Sequence, residues 1–419
     1  MIKRIIRITS LTMLIFLAQG CTKLPENKID LYQRSMVIQN KNAEESILAK
    51  AVLKQSNDPD VNHIKVLHLR GTPYEMGFQH GRLLRQDVRA CINHIMKIAA
   101  LYASTDIMDE IYDLMEPYIP VAEKEEMRGL AHGANLPLRL VHWMHAIPAV
   151  SEYKYKKRFL KKFKSTSCSN IMAFGNASKN GEMFQMRVLD WNRRLGAQNW
   201  PVILVHKPDV GNASVTFSFA GFIGCVSGMN EKQMAFGEMG YGNPEGETLE
   251  GIPFVFLFRK LMREANSLED AVKIIKNAKR TCSYVYLISD AKKTKNQVSG
   301  LILITDRQRV ITFKENTILK DERDGDIYPA LDDVLYAGAK SKELYQTLKE
   351  NYGSISTTIL MEISKKVSLK GNIQNVIFKP QTLETWSSYA ANDKMDKQGK
   401  ACNQKWFYFD FKSHLESYR

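Results

Sequence analysis

The chain has 419 residues, enough for one large domain or two ordinary ones with a substantial core. Lys and Arg outnumber Asp and Glu by 59 to 45, which gives a formal net charge of +14. The excess is not accompanied by a nucleic-acid-binding motif. The six cysteines are scattered without Cys-x-x-Cys pairs, so the sequence indicates neither a zinc site nor a dense disulfide framework.

Residues 1–20 have the pattern of a signal peptide, with three basic residues before a mostly apolar stretch that is too short to span a membrane comfortably. The sequence Leu17-Ala18-Gln19-Gly20-Cys21 resembles a bacterial lipobox. We therefore expect an exported protein, anchored to a membrane of the bacterial cell envelope by a lipid on Cys21. The alternative is an ordinary secretory signal with a coincidental cysteine. Residues 21–60 are expected to form a polar tether.

Residues 61–167 are predicted to be mainly helical. The segment opens with an alternating apolar and polar stretch over 63–70, which predicts a strand. Helical spacing follows from Tyr74 to Ala103, then over about 108–135 and again over 138–150.

A basic cluster follows these helices (Lys154, Lys156, Lys157, Arg158, Lys161, Lys162 and Lys164). Such a cluster could contact nucleic acid or anionic lipid. A solvated linker, open to trimming proteases, explains it better, and no nucleic-acid partner is expected.

At Cys168 the apolar period changes from 3.6 to 2, and Lys179-Asn180-Gly181-Glu182 predicts a hairpin turn. The return strand, 183–189, would bring Arg187 and Asp190 back to the level of Cys168. More hairpin strands follow at 201–206, 213–219, 234–239, 283–289, 300–305 and 309–314, then at 375–379, 383–388 and 406–411. Helices are predicted over 253–265, 268–279, 341–351 and 357–367. This order predicts an α+β sandwich, residues 168–419 forming its core, and argues against a parallel sheet.

A cysteine at a newly cut chain terminus carries both a thiol and an α-amine with a pKa of about 8, so the amine can take the proton of the thiol. Arg187 would favour the thiolate, and Asp190 could hold the amine. Without the hairpin, Cys168 would be read as a buried structural thiol. Metalloprotease, serine-hydrolase and phosphate-loop patterns are missing, and His142 and His145 are interpreted as a helix face. No metal or cofactor is expected.

Several segments, in this order and spacing, resemble the acyl-coenzyme A:6-aminopenicillanic-acid acyltransferase (isopenicillin-N acyltransferase) family of cysteine N-terminal-nucleophile hydrolases. The resemblance covers about residues 63–411. The segments are Tyr74-Glu75-Met76-Gly77-Phe78-Gln79-His80-Gly81, Cys168-Ser169-Asn170, Arg187-x-x-Asp190-Trp191, Gly228-Met229-Asn230-Glu231-Lys232, Gly237-Glu238, Asn375-Val376-Ile377-Phe378 and Leu383-Glu384-Thr385-Trp386.

The resemblance implies a four-layer αββα sandwich and self-cleavage between Ser167 and Cys168 into two associated fragments, the upstream α and the downstream β subunit. It implies hydrolysis or transfer of an acyl group from an amide substrate through a thioester on Cys168. By the same resemblance Arg187 supports the nucleophile, Asp190 holds its α-amine, and Glu238 assists processing or amine binding.

The sequence departs from the family in two places. Some members have glycine where this chain has Ser167. Relatives with an oxyanion asparagine place it on a strand that corresponds here to 335–340, which has no asparagine. A backbone N–H, Asn243 or Asn372 could donate instead. Two other functions stay open, a ceramidase-like lipid amidase or esterase and a non-catalytic surface lipoprotein that binds an acylated ligand.

Overall fold

The computed structural model describes residues 41–101, 103–152, 168–241, 246–281, 283–292, 299–314, 319–320, 327–338, 341–391 and 396–416. Contacts divide the chain into Met1–Glu45 and Ser46–Arg419. The first unit is described only from residue 41, so the predicted signal peptide and Cys21 lie outside the described residues. Within the described part of the chain, every helix is too short or too polar to cross a membrane.

Most helices occur in two groups, one upstream of Cys168 and one between strands of the core. The helices are α1 (Lys41–Leu48), α2 (Pro73–Leu83), α3 (Arg85–Ala99), α4 (Thr105–Met115), α5 (Val121–Ala134), α6 (Leu138–Glu152), α7 (Phe254–Glu264), α8 (Leu268–Asn277), α9 (Ser341–Glu350), α10 (Thr357–Val367) and α11 (Phe411–Glu416). The start of α2 is fixed by a capping box between Thr72 and Glu75, with Pro73 in the first turn.

The strands form two large sheets and one small pair. The nine-stranded sheet has the order β1-β2-β5-β6-β7-β8-β9-β10-β11, the six-stranded sheet has the order β14-β3-β4-β15-β16-β17, and β12 pairs with β13. The bounds are β1 (Val52–Gln55), β2 (Lys65–Gly71), β3 (Ser169–Gly175), β4 (Gly181–Asp190), β5 (Pro201–Pro208), β6 (Ser214–Phe219), β7 (Ser227–Asn230), β8 (Met234–Gly240), β9 (Tyr284–Asp290), β10 (Gly300–Thr305), β11 (Val310–Phe313), β12 (Leu319–Lys320), β13 (Ile327–Tyr328), β14 (Val334–Gly338), β15 (Asn372–Lys379), β16 (Glu384–Tyr389) and β17 (Phe407–Asp410).

The two large sheets pack face to face, and helices cover their outer faces. Phe217 of β6 and Phe378 of β15 meet between the sheets, with ring centroids 5.7 Å apart. On the outer side of the nine-stranded sheet, Phe258 of α7 packs against Phe236 of β8. Apolar residues of α9 and α10 bury the outer side of the six-stranded sheet. The predicted α+β fold with four αββα layers is confirmed.

Helices α2 and α5 touch backbone to backbone because glycines face each other across their contact. A Cβ atom on Gly77 would lie 1.9 Å from the Glu126 carbonyl oxygen, and one on Gly129 would lie 2.0 Å from that of Tyr74. Gly81 and Gly133 make equivalent approaches one turn further along. The glycines of the upstream signature at residues 74–81 therefore serve helix packing.

Several expectations for the upstream segment need correction. The helical run from Tyr74 breaks at Leu84 into α2 and α3. The run over 108–135 is interrupted at 116–120, between α4 and α5, where Pro117 and Pro120 lack the N–H that a continuing helix needs. Residues 41–60, expected in the tether, include strand β1, which pairs with β2.

The hairpin strands argued against a parallel sheet, and the pairs within the sheets are antiparallel among the described residues, apart from β2, which pairs parallel to β5. This pairing inserts a strand from upstream of Cys168 into the nine-stranded sheet. The short strand β7, Ser-Gly-Met-Asn, was not predicted, since four residues with a glycine carry no clear alternation. The sequence pattern also did not predict strands β12 to β14 or helix α11, whereas the remaining elements of residues 168–419 lie within a few residues of their predicted positions.

Candidate active site

The hairpin β3–β4 brings the predicted site residues to one end of the six-stranded sheet. Its turn contains Asn180 and Gly181, with φ angles of 60° and 71°. Asn and Gly tolerate these left-handed conformations better than other residues do. In the resulting register Asn170 pairs with Arg187, and Cys168 directly precedes β3. The predicted return of β4 to the level of Cys168 is confirmed.

The thiol of Cys168 lies against a guanidinium group in the interior. Cys168 is 2% exposed, and Arg187 is fully buried. Arg187 Nη2 donates a hydrogen bond to Cys168 Sγ at 3.3 Å. A buried guanidinium is costly unless it is paired, and Arg187 also binds Glu238 on β8 of the opposite sheet. Nε donates to the Glu238 carbonyl oxygen at 3.1 Å, and Nη2 donates to the Glu238 carboxylate.

The glycine before Glu238 leaves room for a second polar side chain. A Cβ on Gly237 would lie 2.4 Å from Oδ1 of Asn170. The Asn170 amide is buried, and neither its oxygen nor its nitrogen forms a hydrogen bond with the described residues. Asn170 and Arg187 are register partners. The Gly237-Glu238 pair thus admits the Asn170 amide next to the guanidinium.

Asp190 ends β4 and is nearly buried, at 4% exposure. The Leu369 N–H donates to its Oδ1 at 3.0 Å. Oδ2 is buried and accepts no hydrogen bond from the described residues within bonding distance. Burial raises the pKa of Asp190 to about 7, against the opposing effects of the Leu369 N–H and the Lys400 charge. The carboxylate therefore has one oxygen held and one available for a donor.

In the continuous chain the thiol of Cys168 is mostly protonated. Burial raises the pKa of Cys168 to about 12, although the positive charge of Arg187 acts in the opposite direction. The negative charges of Glu238 and Asp190 add to the rise. Because the thiolate is the nucleophilic form, the continuous chain keeps most of the sulfur in its less reactive, protonated state at neutral pH.

Cys168 forms part of the wall of an apolar pocket. Apart from Cys168, Glu238 and Tyr284, the lining carries no ionisable group among the described residues. Helices α3 and α6 supply four of its residues and the downstream core the others. The full lining is Ile95, Met144, Ile147, Pro148, Cys168, Leu189, Trp191, Ala197, Phe219, Phe222, Val226, Glu238, Phe254 and Tyr284. A ligand in contact with Cys168 would meet mainly hydrocarbon.

The structure describes some of the candidate oxyanion donors and not others. Asn372 lies beside Asp190 in the strand register, but its Nδ2 donates to the Leu189 carbonyl at 3.3 Å, and its Oδ1 accepts from the Cys402 N–H at 2.8 Å. These bonds hold neighbouring chain segments together. Gly338 of β14 pairs with Ser169, beside Cys168, and offers no side chain. Asn243 lies outside the described residues.

The remaining residues named in the sequence analysis either lie outside the described residues or pack in the interior. Ser167 and the basic cluster at 154–164 lie outside the described residues. His142 stacks on Tyr112, while His145 is buried in the core. In the described chain Cys91, Cys168, Cys225 and Cys402 are buried free thiols.

The sequence model of the acyl-coenzyme A:6-aminopenicillanic acid acyl-transferase family matches residues 178–318. This range begins after Cys168 and includes Arg187, Asp190 and Glu238. The resemblance to this acyltransferase family is confirmed.

Two similar proteins come from Dictyostelium discoideum. Protein dcd1A is 24% identical over 369 residues, which cover 79% of each chain. Protein dcd1B is 27% identical over 255 residues, 54% of this chain and 48% of its own. An uncharacterized protein of Archaeoglobus fulgidus is 26% identical over 257 residues, 54% of this chain and 41% of its own. The match thus spans about half the length of dcd1B.

The solved structures show distant similarity. The Caenorhabditis elegans ortholog of N-acylethanolamine-hydrolyzing acid amidase has a TM-score of 0.41 and 13% identity, covering 58% of this chain and 100% of that one. Penicillin V acylase from Agrobacterium tumefaciens has a TM-score of 0.36 and 11% identity, covering 58% and 86%.

The pocket lining from the upstream helices was not predicted from the sequence. Helix α6 carries apolar residues on several faces, more than one contact with the core requires. That excess could have indicated that a second face of α6 borders a cavity. A second indication was Trp191, a large apolar side chain directly after Asp190.

We predict that iodoacetamide alkylates Cys168 slowly at pH 7.5 in molecules whose peptide bond between residues 167 and 168 is intact, with a rate that increases about tenfold per pH unit while the fold persists, because only the thiolate reacts. Replacing Arg187 by Met removes the charge that lowers the pKa of the thiol, so alkylation becomes slower still. Peptide mass spectrometry measures the rate, and Arg194→Met at an exposed position is the control. Rapid alkylation at pH 7.5, as for an exposed cysteine, would contradict the buried-thiol geometry.

Proposed function

We propose that this protein is an exported, self-processing amidohydrolase or acyltransferase that uses Cys168 as an N-terminal nucleophile. The contact between Arg187 Nη2 and Cys168 Sγ, at the start of β3 and in the wall of an apolar pocket, carries the proposal. A structural thiol would not need a buried cation beside it. The confirmed family resemblance supports the same chemistry.

In the maturation step, Cys168 Sγ attacks the carbonyl carbon of Ser167, and the peptide bond to the Cys168 nitrogen breaks. The nitrogen takes the thiol proton and becomes a free α-amine, while the Ser167 acyl group is held as a thioester. Water then hydrolyses the thioester, which releases the Ser167 carboxylate and restores the thiol.

The new amine changes the chemistry of the site. With an intrinsic pKa of about 8 it can accept the thiol proton near neutral pH. Asp190 Oδ2, which accepts no hydrogen bond from the described residues, is the atom we assign to orient this amine. Arg187 then favours the thiolate electrostatically.

In turnover, the thiolate attacks the acyl carbonyl of an amide substrate. The amide nitrogen leaves as an amine after receiving the proton from the α-amine of Cys168, and the acyl group stays on sulfur as a thioester. Water releases the acid, or a second amine accepts the acyl group, and the proton returns to the site. A backbone N–H or Asn243 is left to stabilise the tetrahedral oxyanion, because Asn372 is engaged elsewhere.

The substrate that fits the pocket carries an apolar acyl group. Burial of each methylene against such a lining contributes about 0.8 kcal/mol, so longer acyl chains are favoured up to the length that the pocket encloses. This lining also supports a second candidate, a ceramidase-like lipid amidase or esterase. Release of fatty acid from N-acyl lipids, compared with acyl peptides and acyl-homoserine lactones, separates the two.

We also propose that Cys21 is lipidated and holds the protein at a membrane of the cell envelope. The lipobox-like sequence ending at Cys21 supports this. In a bacterial host, the wild-type protein is expected in the membrane fraction and to incorporate labelled palmitate. Cys21→Ala is expected to lose both, with Cys91→Ala as the control. A wild-type chain that is secreted without label would instead support an ordinary signal peptide.

We predict that purified wild-type protein separates into two fragments on a denaturing gel. The larger one is expected to begin with Cys168-Ser169-Asn170 on N-terminal sequencing. Cys168→Ala is expected to stay whole and to hydrolyse no N-acyl p-nitroanilide, because it lacks the sulfur that acts as nucleophile in both self-cleavage and turnover. Cys225→Ala, which removes another buried thiol, is expected to be cut normally. A wild-type chain as uncut and inactive as Cys168→Ala would support the non-catalytic alternative.

We predict that filling the pocket shortens the preferred acyl chain. Val226 is half-buried and lines the pocket, so Val226→Phe adds bulk there. Because about two methylenes of a long chain would lose their burial, kcat/KM for dodecanoyl p-nitroanilide is expected to decrease about tenfold or more. The value for the butyryl compound is expected to change little. Val210→Phe makes the same change on the surface, where Val210 is 82% exposed. Equal losses for both chain lengths would mean that the acyl group binds elsewhere.

A further inference from the structure

A short loop between β6 and β7, residues 220–224, forms one wall of the pocket; we call it the pocket loop. Its Phe222 lines the pocket, together with Phe219 just before it. The backbone turns at Gly221 with a φ of 85°, a conformation that favours glycine. The loop is buried, so its backbone donors need partners inside the protein.

The downstream core supplies only some of these partners. The Ala220 N–H donates to the Trp200 carbonyl at 2.8 Å, and the Phe222 N–H donates to the Phe219 carbonyl at 2.9 Å. Just beyond the loop, the Cys225 N–H donates to Val255 at 3.0 Å.

The Gly221 and Ile223 N–H groups instead donate to two histidines from upstream of Cys168. His80 of α2 accepts from Gly221 through Nε2 at 3.1 Å, and His145 of α6 accepts from Ile223 through Nε2 at 2.9 Å. The two histidines hold alternate residues of the same loop. His80 belongs to the upstream signature at residues 74–81, so the signature serves this loop as well as helix packing.

Both imidazoles are suited to accept because both are neutral. Nδ1 of His145 donates to the Val141 carbonyl at 2.7 Å, which leaves Nε2 as the acceptor. Burial lowers the pKa of His145 to about 4 and that of His80 to about 3. In a protonated ring Nε2 would carry a hydrogen that points at the loop N–H, and no hydrogen bond could form. The neutral form is therefore the one that fits both contacts.

His145 also fixes the side chain that faces the pocket. Its ring stacks on Phe222 with centroids 4.9 Å apart and planes 5° apart, and on Phe256 of α7 at 5.4 Å. Because Met144, Ile147 and Pro148 of the same helix line the pocket, α6 supplies part of the wall and also holds the opposite part in place.

We propose that His80 and His145 are positioning residues that hold the pocket loop, and with it Phe222, in the shape that receives the acyl chain. They act through hydrogen bonds to the loop backbone and do not touch the reacting atoms. The upstream segment is then a working part of the substrate pocket, whether or not the chain is cut before Cys168. This inference deepens the proposed function and rests on it for the identity of the ligand.

Two substitutions of His145 distinguish the effect of its hydrogen-bond acceptor from that of its aromatic ring. In His145→Gln the side-chain oxygen can replace Nε2 as acceptor, whereas His145→Phe keeps an aromatic ring but cannot accept from Ile223. The rate of hydrogen exchange of the peptide covering 219–226 measures how firmly the backbone of the pocket loop is held. His145→Phe is expected to exchange about tenfold faster or more there, while His145→Gln stays close to wild type. His142→Gln, three residues away and stacked on Tyr112, is the matched control.

Turnover of acyl p-nitroanilides gives the functional readout. His145→Phe is expected to raise KM for the dodecanoyl compound several-fold with little change in kcat, and His145→Gln is expected to restore it. Should His145→Phe fail to fold, His80→Leu and His80→Gln form the same comparison at Gly221. Unchanged exchange and unchanged KM in the acceptor-less variants would overturn the proposal, as would an equal loss in the Gln and acceptor-less variants.

The proposed function can fail independently. If the wild-type protein hydrolyses no acyl p-nitroanilide, binding of dodecanoic acid to the Cys168→Ala chain replaces turnover as the readout. Faster loop exchange and weaker dodecanoate binding in His145→Phe would then sustain the positioning role without the enzymatic one. Normal turnover with an unaffected loop would leave the enzyme in place and remove the positioning role.

Discussion

The contact on which the site depends is the guanidinium of Arg187, placed between the two sheets. It joins Cys168 on one sheet to Glu238 on the other, and all three side chains are buried. A buried cation is costly unless it is paired, and the partners of Nε and Nη2 lie on both sheets, so this contact couples the distance between the sheets to the register of β3 with β4. Gly237 belongs to the same constraint, because its missing side chain admits Asn170.

Much of the core could be predicted from the sequence because its signals are local. Alternation from Cys168 onward and the Asn180-Gly181 turn specify the hairpin, and the hairpin alone brings Arg187 to Cys168. Hairpin strands interrupted by pairs of amphipathic helices predict a layered α+β sandwich, whereas its four αββα layers were implied by the family resemblance. Glu238 was reached only through the family resemblance, because nothing local in its strand points to a partner on the other sheet.

The remaining features depend on contacts that no local pattern encodes. The parallel pairing of β2 with β5 joins residues more than a hundred positions apart, and sequence periodicity does not record which strand is a neighbour. The same holds for the pocket, whose lining comes from α3, α6 and several strands, loops and a helix of the downstream core. His80 was visible within a signature, yet its partner, the Gly221 N–H, is a backbone group and leaves no trace in the sequence.

The position of β2 has a consequence for the order of events in this molecule. It lies between β1 and β5, hydrogen-bonded on both sides, although it precedes Cys168 in the chain. Any scission at residue 168 would leave two polypeptides interlocked by a shared sheet, which could part only if main-chain ladders were broken. Assembly therefore has to be finished while the chain is still continuous, and unfolding a severed molecule would be difficult to reverse because the two pieces would have to find each other again.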